Sequence, residues 1–289
     1  MIQKSPLRSL ISRPPATPLF HYTSMSGFLG IIESKSIWAS NIHYLNDHKE
    51  FCLTLELAQG VIKSRKEKDI ENHSLYVEMQ ANLQLMERTI YVTSFSEDGD
   101  SLSQWRAYSG GAGGFSIGFC SDELWDLSNQ NTVKFNNRSD PSTNPHIIFS
   151  KCVYEKNDQL ELINQVIDSS IKSALSPSES PTLSFMANLE LHAPFLKDIA
   201  FKEEREWRLV MWLPPNCADR LDFHAGRSTI VPHFSFNLKD DREIMHCSEV
   251  VVGPTPFPDL SKKSTEAVLQ KYGLLYNVVR NSSVPYRNW

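Results

Sequence analysis

The sequence predicts an α+β protein, a β framework with helices placed around and within it. Three observations carry that reading. Runs such as Thr89-Ile90-Tyr91-Val92-Thr93 and Trp207-Arg208-Leu209-Val210 are rich in β-branched and aromatic residues, the composition of strands. Elsewhere apolar residues recur at helical spacing, as in Phe28, Leu29, Ile31 and Ile32, or Phe185, Leu189, His192, Leu196 and Ile199. Finally, 289 residues with 40% hydrophobic and 22% charged composition are ample for a real core. No internal repeat is visible. The expected organisation is one domain over 1–289, with a flexible arm at 1–17 and a helical insertion around 155–200.

In chain order, the polar, proline-containing segment 1–17 reads as an irregular arm. Leu19–Tyr22 is a strand, and Ser24 is placed to cap the helix that follows. Ile37-Trp38-Ala39 is a second short strand. Asp47 and Glu50 form a capping box ahead of a long helix carrying Phe51, Leu55, Ala58 and Ile62. The charged stretch 63–74 reads as a solvated helix end or loop, and Leu75 to Met86 as another helix. After the strand at 89–93, Ser101 with Gln104 forms a capping box for a short helix bearing Trp105, Arg106 and Tyr108. Gly110-Gly111-Ala112-Gly113-Gly114 invites a phosphate-loop reading, but the case for a turn is stronger. No Lys-Ser/Thr follows it, and the next segment, Phe115–Phe119, has the period of a strand, so no helix dipole stands behind it. It reads as a permissive turn.

Residues 128–146, rich in Asn, Ser, Thr and Pro, read as a surface loop or insertion. A strand around Ile147–Tyr154 and a helix marked by Leu160, Ile163, Val166 and Ile167 come next. Ser176–Pro181 is a linker-like break before a helix from Leu183 to Ala200. Strands are expected at Trp207–Trp212, Ser228–Phe234 (an edge strand because of Pro232), Glu249–Gly253 and Leu275–Val279, with a helix from Ser264 to Tyr272.

Composition restricts the function. A net charge of −5 gives no global electrostatic case for nucleic acid or an anionic membrane as partner. The five cysteines are scattered, odd in number and without a CxxC pair, which argues for reduced thiols and against a zinc site. No metal is expected. No segment has the roughly 18 apolar residues of a membrane span and no signal-peptide core is present. The expectation is a soluble, cytoplasmic protein with no membrane partner.

Three stretches could carry chemistry. Pro18-Leu19-Phe20-His21-Tyr22-Thr23-Ser24 ends a strand in polar groups just before a helix, a rigid support for ligand contacts. His21 there is either a ligand contact or a hydrogen-bonded structural residue. Ser94 and Ser96 share a strand face and are followed by Ser103, Gln104, Trp105, Arg106 and Tyr108. That set either lines a pocket for a ligand with phosphates and aromatic rings, or forms a packed helix with Arg106 paired to Glu97 or Asp100. On a strand, Glu204 and Glu206 point to one face. They are either a paired-carboxylate site, base plus electrostatic stabiliser, or a solvated edge balanced by Arg205 and Arg208.

Leu19-Phe20-His21-Tyr22-Thr23-Ser24, Ile37-Trp38-Ala39-Ser40, Phe95-Ser96-Glu97, Ser103–Tyr108, Gly114–Phe119 and the Glu203–Arg208 stretch together resemble a bacterial family of unknown function, over residues 19–119 and 200–253. The same opening is similar, more distantly, to ADP-ribosyltransferases, particularly DarT-type toxins that modify DNA. That resemblance implies a split, mostly antiparallel β-sandwich with helices around an NAD cleft. It implies His21 and Glu206 as catalytic residues, His21 on the nicotinamide ribose. Glu203 and Glu204 compete with Glu206 for the carboxylate role. His21, Tyr22, Thr23, Ser94, Ser96, Trp105, Arg106 and Tyr108 would contact NAD. The implied reaction transfers ADP-ribose to a macromolecular acceptor, nucleic acid or protein, in a toxin or phage-defence effector. The alternative is a non-catalytic module that binds a nucleotide or nucleic acid in the same cleft.

Overall fold

The computed structural model describes residues 14–44, 48–83, 90–109, 113–136, 146–173, 180–213, 219–226, 228–245, 247–274 and 278–285. Strand β1 (Leu19–Thr23) alternates as expected, with Leu19 and Phe20 buried on opposite faces. Ser24 caps helix α1 (Met25–Ser34), its hydroxyl accepting from the Gly27 amide at 3.2 Å. Strand β2 (Ser36–Asn41) follows a left-handed Lys35, and a 3₁₀ turn at Ile42–Tyr44 closes it. Helix α2 (His48–Lys68) ends within the charged stretch read as a helix end or loop, and α3 (His73–Asn82) returns against it. Strand β3 is Ile90–Ser96, helix α4 Leu102–Tyr108 and strand β4 Phe115–Phe119.

The segment expected to be a loop from 128 is helical to Asn136, because α5 (Ser121–Asn136) begins with two first-turn acids that favour a helix start. Strand β5 (His146–Lys151), helix α6 (Lys156–Ser173) and helix α7 (Pro181–His192) follow. The single helix expected to Ala200 stops at His192. Pro194 cannot donate to an α-helical ladder, so the chain continues as 3₁₀ turns at Ala193–Phe195 and Ile199–Glu204. Strands β6 (Glu206–Trp212), β7 (Asp222–Ala225), β8 (Ile230–Asn237) and β9 (Glu249–Val252), helix α8 (Pro258–Lys271) and strand β10 (Val278–Asn281) complete the order.

Strand β7 has no strong sequence signal, and it corrects one expectation. β8 lies between β2 and β7 and is not an edge. Pro232 is tolerated because β2 pairs only from His233 onward, leaving Pro232 opposite Phe223 of β7 alone. The Ser101 capping box does not form either: the Ser101 hydroxyl lies 3.0 Å from that of Ser103 and makes no cap. Asp47 of the other expected box, residues 110–112 of the glycine turn, residues 1–13 of the arm, 137–145, 176–179 and 275–277 lie outside the described residues. Gly113, at φ 77°, takes a left-handed backbone, which glycine adopts without steric cost.

The ten strands form one sheet in the order β10-β9-β4-β1-β3-β2-β8-β7, with β6 joining β3 to β5, antiparallel except for β9 with β10. The sheet forks at β3. One edge of β3 pairs with β6 along its whole length, Ile90–Ser96. The other edge meets β2 at Tyr91 and Val92, and β1 at Ser96 alone, through Phe20↔Ser96. Between those contacts, Thr93, Ser94 and Phe95 have no strand partner on that side.

Two apolar layers hold the fork. On one face α1, α5 and α8 cover a core that runs through Leu19, Ile37, Phe95, Ile117, Leu209 and Val250, and so spans both branches. On the other, α2, α3, α6 and α7 bury Val92, Ile148 and Val210. The helices of the segment 155–200 are therefore a layer of the fold. A small third cluster, Phe20, Tyr22, Trp105 and Val251, seats α4 on β1.

Candidate functional site

The fork is where the polar residues of β1 arrive. His21 Nδ1 donates to the Ser94 carbonyl at 2.9 Å, one of the backbone groups that β3 leaves unpaired. That bond fixes the Nδ1–H tautomer of the neutral ring, which makes Nε2 an acceptor. Burial pushes the His21 pKa down, so the ring is neutral at pH 7. Its edge rests near Phe95, ring centroids 5.9 Å apart. Tyr22 is committed differently. Its hydroxyl donates to the Asp98 carbonyl at 2.7 Å and accepts from the Ser101 amide at 2.8 Å, which holds the turn leading into α4. Burial drives the Tyr22 phenol well above its ordinary pKa.

The opposite wall is charged. Glu204 ends a 3₁₀ turn, Arg205 takes a left-handed backbone (φ 44°), and Glu206 begins β6. The two carboxylates thus converge across a turn; strand alternation, expected from the sequence, plays no part. Lys197, 3% exposed, bridges them at 2.6 Å from Glu204 Oε2 and 2.5 Å from Glu206 Oε2. Arg208, 0% exposed, donates through Nε to Glu206 Oε1 at 2.8 Å, through Nη2 to Oε2 at 3.1 Å, and through Nη1 to the Pro194 carbonyl at 2.6 Å. The Glu206 amide donates to the Tyr154 hydroxyl at 2.8 Å.

Burial alone would raise the Glu206 pKa. Arg208 first and Lys197 second reverse that and bring it down to about 2, so the carboxylate stays ionised. Oε2 accepts two bonds and Oε1 one, which leaves Oε1 room for a ligand donor.

These walls enclose a cavity of about 260 Å³ that reaches His21, Tyr22, Ser94, Tyr108, Glu204 and Glu206. Trp38 (47% exposed), Tyr44 (46%) and Tyr108 (43%) present rings at its walls. Thr93, also on the wall, is buried, and its hydroxyl has no hydrogen-bond partner among the described residues. An orphan hydroxyl of this kind suits a site that receives polar ligand atoms. A second cavity of about 510 Å³ adjoins the first and shares His21, Trp38 and Ser40 with it. Among the described residues, no lysine or arginine lines either cavity.

Of the residues singled out in sequence, His21, Tyr22, Ser94, Tyr108 and Glu206 come together on the smaller cavity, and Thr23 lines the larger. Three do not join them. Ser96 is buried, its hydroxyl donating to the Glu204 carbonyl at 2.7 Å and accepting from the Asp98 amide at 3.1 Å. Trp105 is fully buried, its indole donating to Asp100 Oδ1 at 2.8 Å. Arg106 is exposed on α4 and lines neither cavity. Glu203 is exposed as well. Glu97 and Asp100, the expected partners of Arg106, engage Lys151 with Trp207, and Trp105 with Ser282 and Ser283.

Sequence reasoning missed Lys197, Arg208 as a site member, Thr93 and the Trp38 wall. The one available signal was Lys197 itself, a lone cation directly after the apolar pair Phe195-Leu196 and upstream of the acids. Among the described residues, no group of three His, Cys, Asp or Glu could hold a metal ion, and no helix is long and apolar enough to cross a membrane.

A family model described as a protein of unknown function (DUF2971) matches residues 104–209. The match runs from Gln104 on α4 through Glu206 and Arg208 on β6, and excludes β1 with His21. Neither a curated protein nor a solved structure matches the chain.

Proposed function

We propose that the protein is an ADP-ribosyltransferase-like enzyme that uses NAD as substrate, cleaves the nicotinamide–ribose bond and transfers ADP-ribose to a macromolecular acceptor, nucleic acid or protein, as a bacterial toxin or defence effector. One observation carries the reading: the fork brings His21 and Glu206, far apart in sequence, to one cavity. The mixture of strands and helices follows the α+β expectation, and the strands pair as one forked sheet where the resemblance implies a split β-sandwich.

The residues present fit this substrate at its nicotinamide–ribose end. The cavity presents the carboxylates of Glu204 and Glu206, while their counter-ions Lys197 and Arg208 do not line it, and a cationic pyridinium ring suits that wall. Trp38, Tyr44 and Tyr108 offer stacking faces, and the orphan Thr93 hydroxyl offers a donor. Neutral His21 accepts a ribose hydroxyl at Nε2, and Glu206 Oε1 accepts another. When the N-glycosidic bond breaks, its electron pair leaves on the nicotinamide nitrogen and positive charge develops at the ribose. Glu206, already ionised and rigidly held, stabilises that charge without reorganising. An acceptor nucleophile then bonds to the same carbon and loses its proton; water in that role gives hydrolysis.

The test is nicotinamide release, with stability followed in parallel. Wild type should release nicotinamide, and Glu206→Gln should lose roughly a hundredfold or more of that rate while still binding NAD. A second reading, a nucleotide-binding module without turnover, is favoured by the three charged hydrogen bonds that absorb much of the Glu206 charge. NAD binding by wild type without release would establish that reading against the first.

A further inference from the structure

The larger cavity has a chemistry of its own. Among the described residues, no aspartate, glutamate, lysine or arginine lines it. Hydroxyls do: Thr23, Ser24 and Ser26 from one side, Ser36 and Ser40 from β2. Trp38 forms a wall whose ring is held in place by the protein. It stacks on His224 with centroids 4.8 Å apart and leans on His233 at 4.2 Å, and those imidazoles meet through Nδ1 atoms 3.1 Å apart. A fixed yet half-exposed indole is a stacking platform whose ordering has already been completed on folding.

Two glycines of α1 also line the cavity, and they differ. A Cβ on Gly27 would lie 2.0 Å from Thr23 Oγ1, so packing explains that glycine. A Cβ on Gly30 would meet nothing within 4 Å. Glycine within a helix is less stable than alanine, and here no protein atom requires it. Gly30 is an exposed position on the cavity lining, where a side chain would meet no protein atom.

We propose that this chamber binds a nucleoside moiety, its base stacked on Trp38 and its sugar hydroxyls bonded to the serine and threonine wall, with no ionic anchor. Hydroxyls without charge suit a ribose, and a broad indole suits a planar heterocycle; the wall supplies no lysine or arginine to pair with a phosphate. The proposal does not rest on the transferase reading. The moiety has two sources, the adenosine end of NAD or a separate nucleoside, and competition separates them: adenosine displaces NAD in the first case and leaves NAD binding unchanged in the second.

Calorimetric titration of the full chain with adenosine, thymidine, glucose and adenosine monophosphate tests it. A nucleoside should bind saturably and glucose should not, with the monophosphate within about threefold of adenosine because the site has no cation for it. Trp38→Ala should weaken nucleoside binding by about tenfold or more. Trp38 also supports the two histidines, so Gly30→Leu is the cleaner variant. It should fill the chamber and weaken binding by a similar factor with an unchanged or higher Tm, whereas Gly60→Leu, equally uncrowded on α2 and remote from both cavities, should bind like wild type. No saturable nucleoside binding, glucose binding as tightly as adenosine, a monophosphate bound more than about tenfold tighter, or Gly30→Leu binding like wild type would overturn the proposal.

Discussion

The two walls of the smaller cavity solve the same problem, a polar group held out of water, in opposite ways. On the β6 wall, Glu206 stays charged because Lys197 and Arg208, nine and two residues away, bring opposite charges to it. On the β1 wall, His21 and Tyr22 stay neutral and are satisfied by backbone groups 73 to 79 residues away. A buried charge needs a counter-charge, and short loops can supply one locally. A neutral group needs only one or two hydrogen bonds, so any backbone brought near by the fold will serve. The charged wall is therefore self-contained, and the neutral wall exists only once the sheet has formed.

That contrast can be broken from its charged side first. Arg208→Met strands Glu206 with a single counter-charge in a buried place and should cost about 3–5 kcal/mol in urea unfolding, the usual penalty for breaking a buried pair. If the cost is under ~1 kcal/mol, the β6 wall is solvated and the contrast fails.

Acid titration comes next. Burial holds His192 neutral with its pKa down at about 4, its Nδ1 donating to the Asn188 carbonyl. The unfolded chain takes up that proton below pH 6.5, so the stability His192 contributes is complete above 6.5 and is lost as pH falls towards 4. The slope is about 1.4 kcal/mol per pH unit. Glu206 acts in the same sense over a lower window: its contribution is complete above 4.5 and lost as pH falls towards 2. Urea midpoints measured from pH 7 to 3 should therefore fall in two successive stages. A flat profile from 6.5 to 4 would show that the buried histidines are solvated.

The neutral wall should give less. His21→Leu removes one hydrogen bond and leaves the Ser94 carbonyl without its partner, a loss of about 1–2 kcal/mol by chemical unfolding. Smallest of all, Arg205→Gly should shift stability by less than ~1 kcal/mol, because relief of its left-handed backbone offsets the freedom glycine adds to the unfolded chain. Arg205 and Arg208 stand three residues apart and read alike in sequence; a comparable loss from both would erase the distinction between an exposed arginine and a buried one.

The same contrast explains what the sequence made legible. Periodicity exposed β1, α1 and β4, and β-branched and aromatic composition exposed β3 and β6, which are buried on both faces. It missed β7, whose four residues, Asp222–Ala225, lie mostly exposed at the end of the sheet. The Glu203–Trp212 stretch stood out as a site candidate, but its charges were read as strand neighbours since neither the turn at Arg205 nor the burial of Lys197 has a local signature. Trp105 and Trp38 show the limit most directly. Trp105 sits in the denser motif and is core, whereas Trp38 sits in an ordinary strand and forms the cavity wall. Which aromatic faces a ligand depends on where strands separate, and strand separation is a property of pairing across the whole sheet.

The fork has a mechanical consequence. In an unbroken sheet, twist passes from strand to strand along a full ladder of hydrogen bonds. Here the ladder between the β1–β4–β9–β10 branch and the remaining strands is one residue pair long, reinforced by the His21 side chain and by the apolar layer beneath. Such a joint is stiff against pulling apart and compliant in torsion. Any molecule lodged in the gap works as a splint, and its binding energy becomes rigidity for both branches at once. Hydrogen exchange should then slow on strands the ligand never touches, including β4 and β9, when the gap is filled.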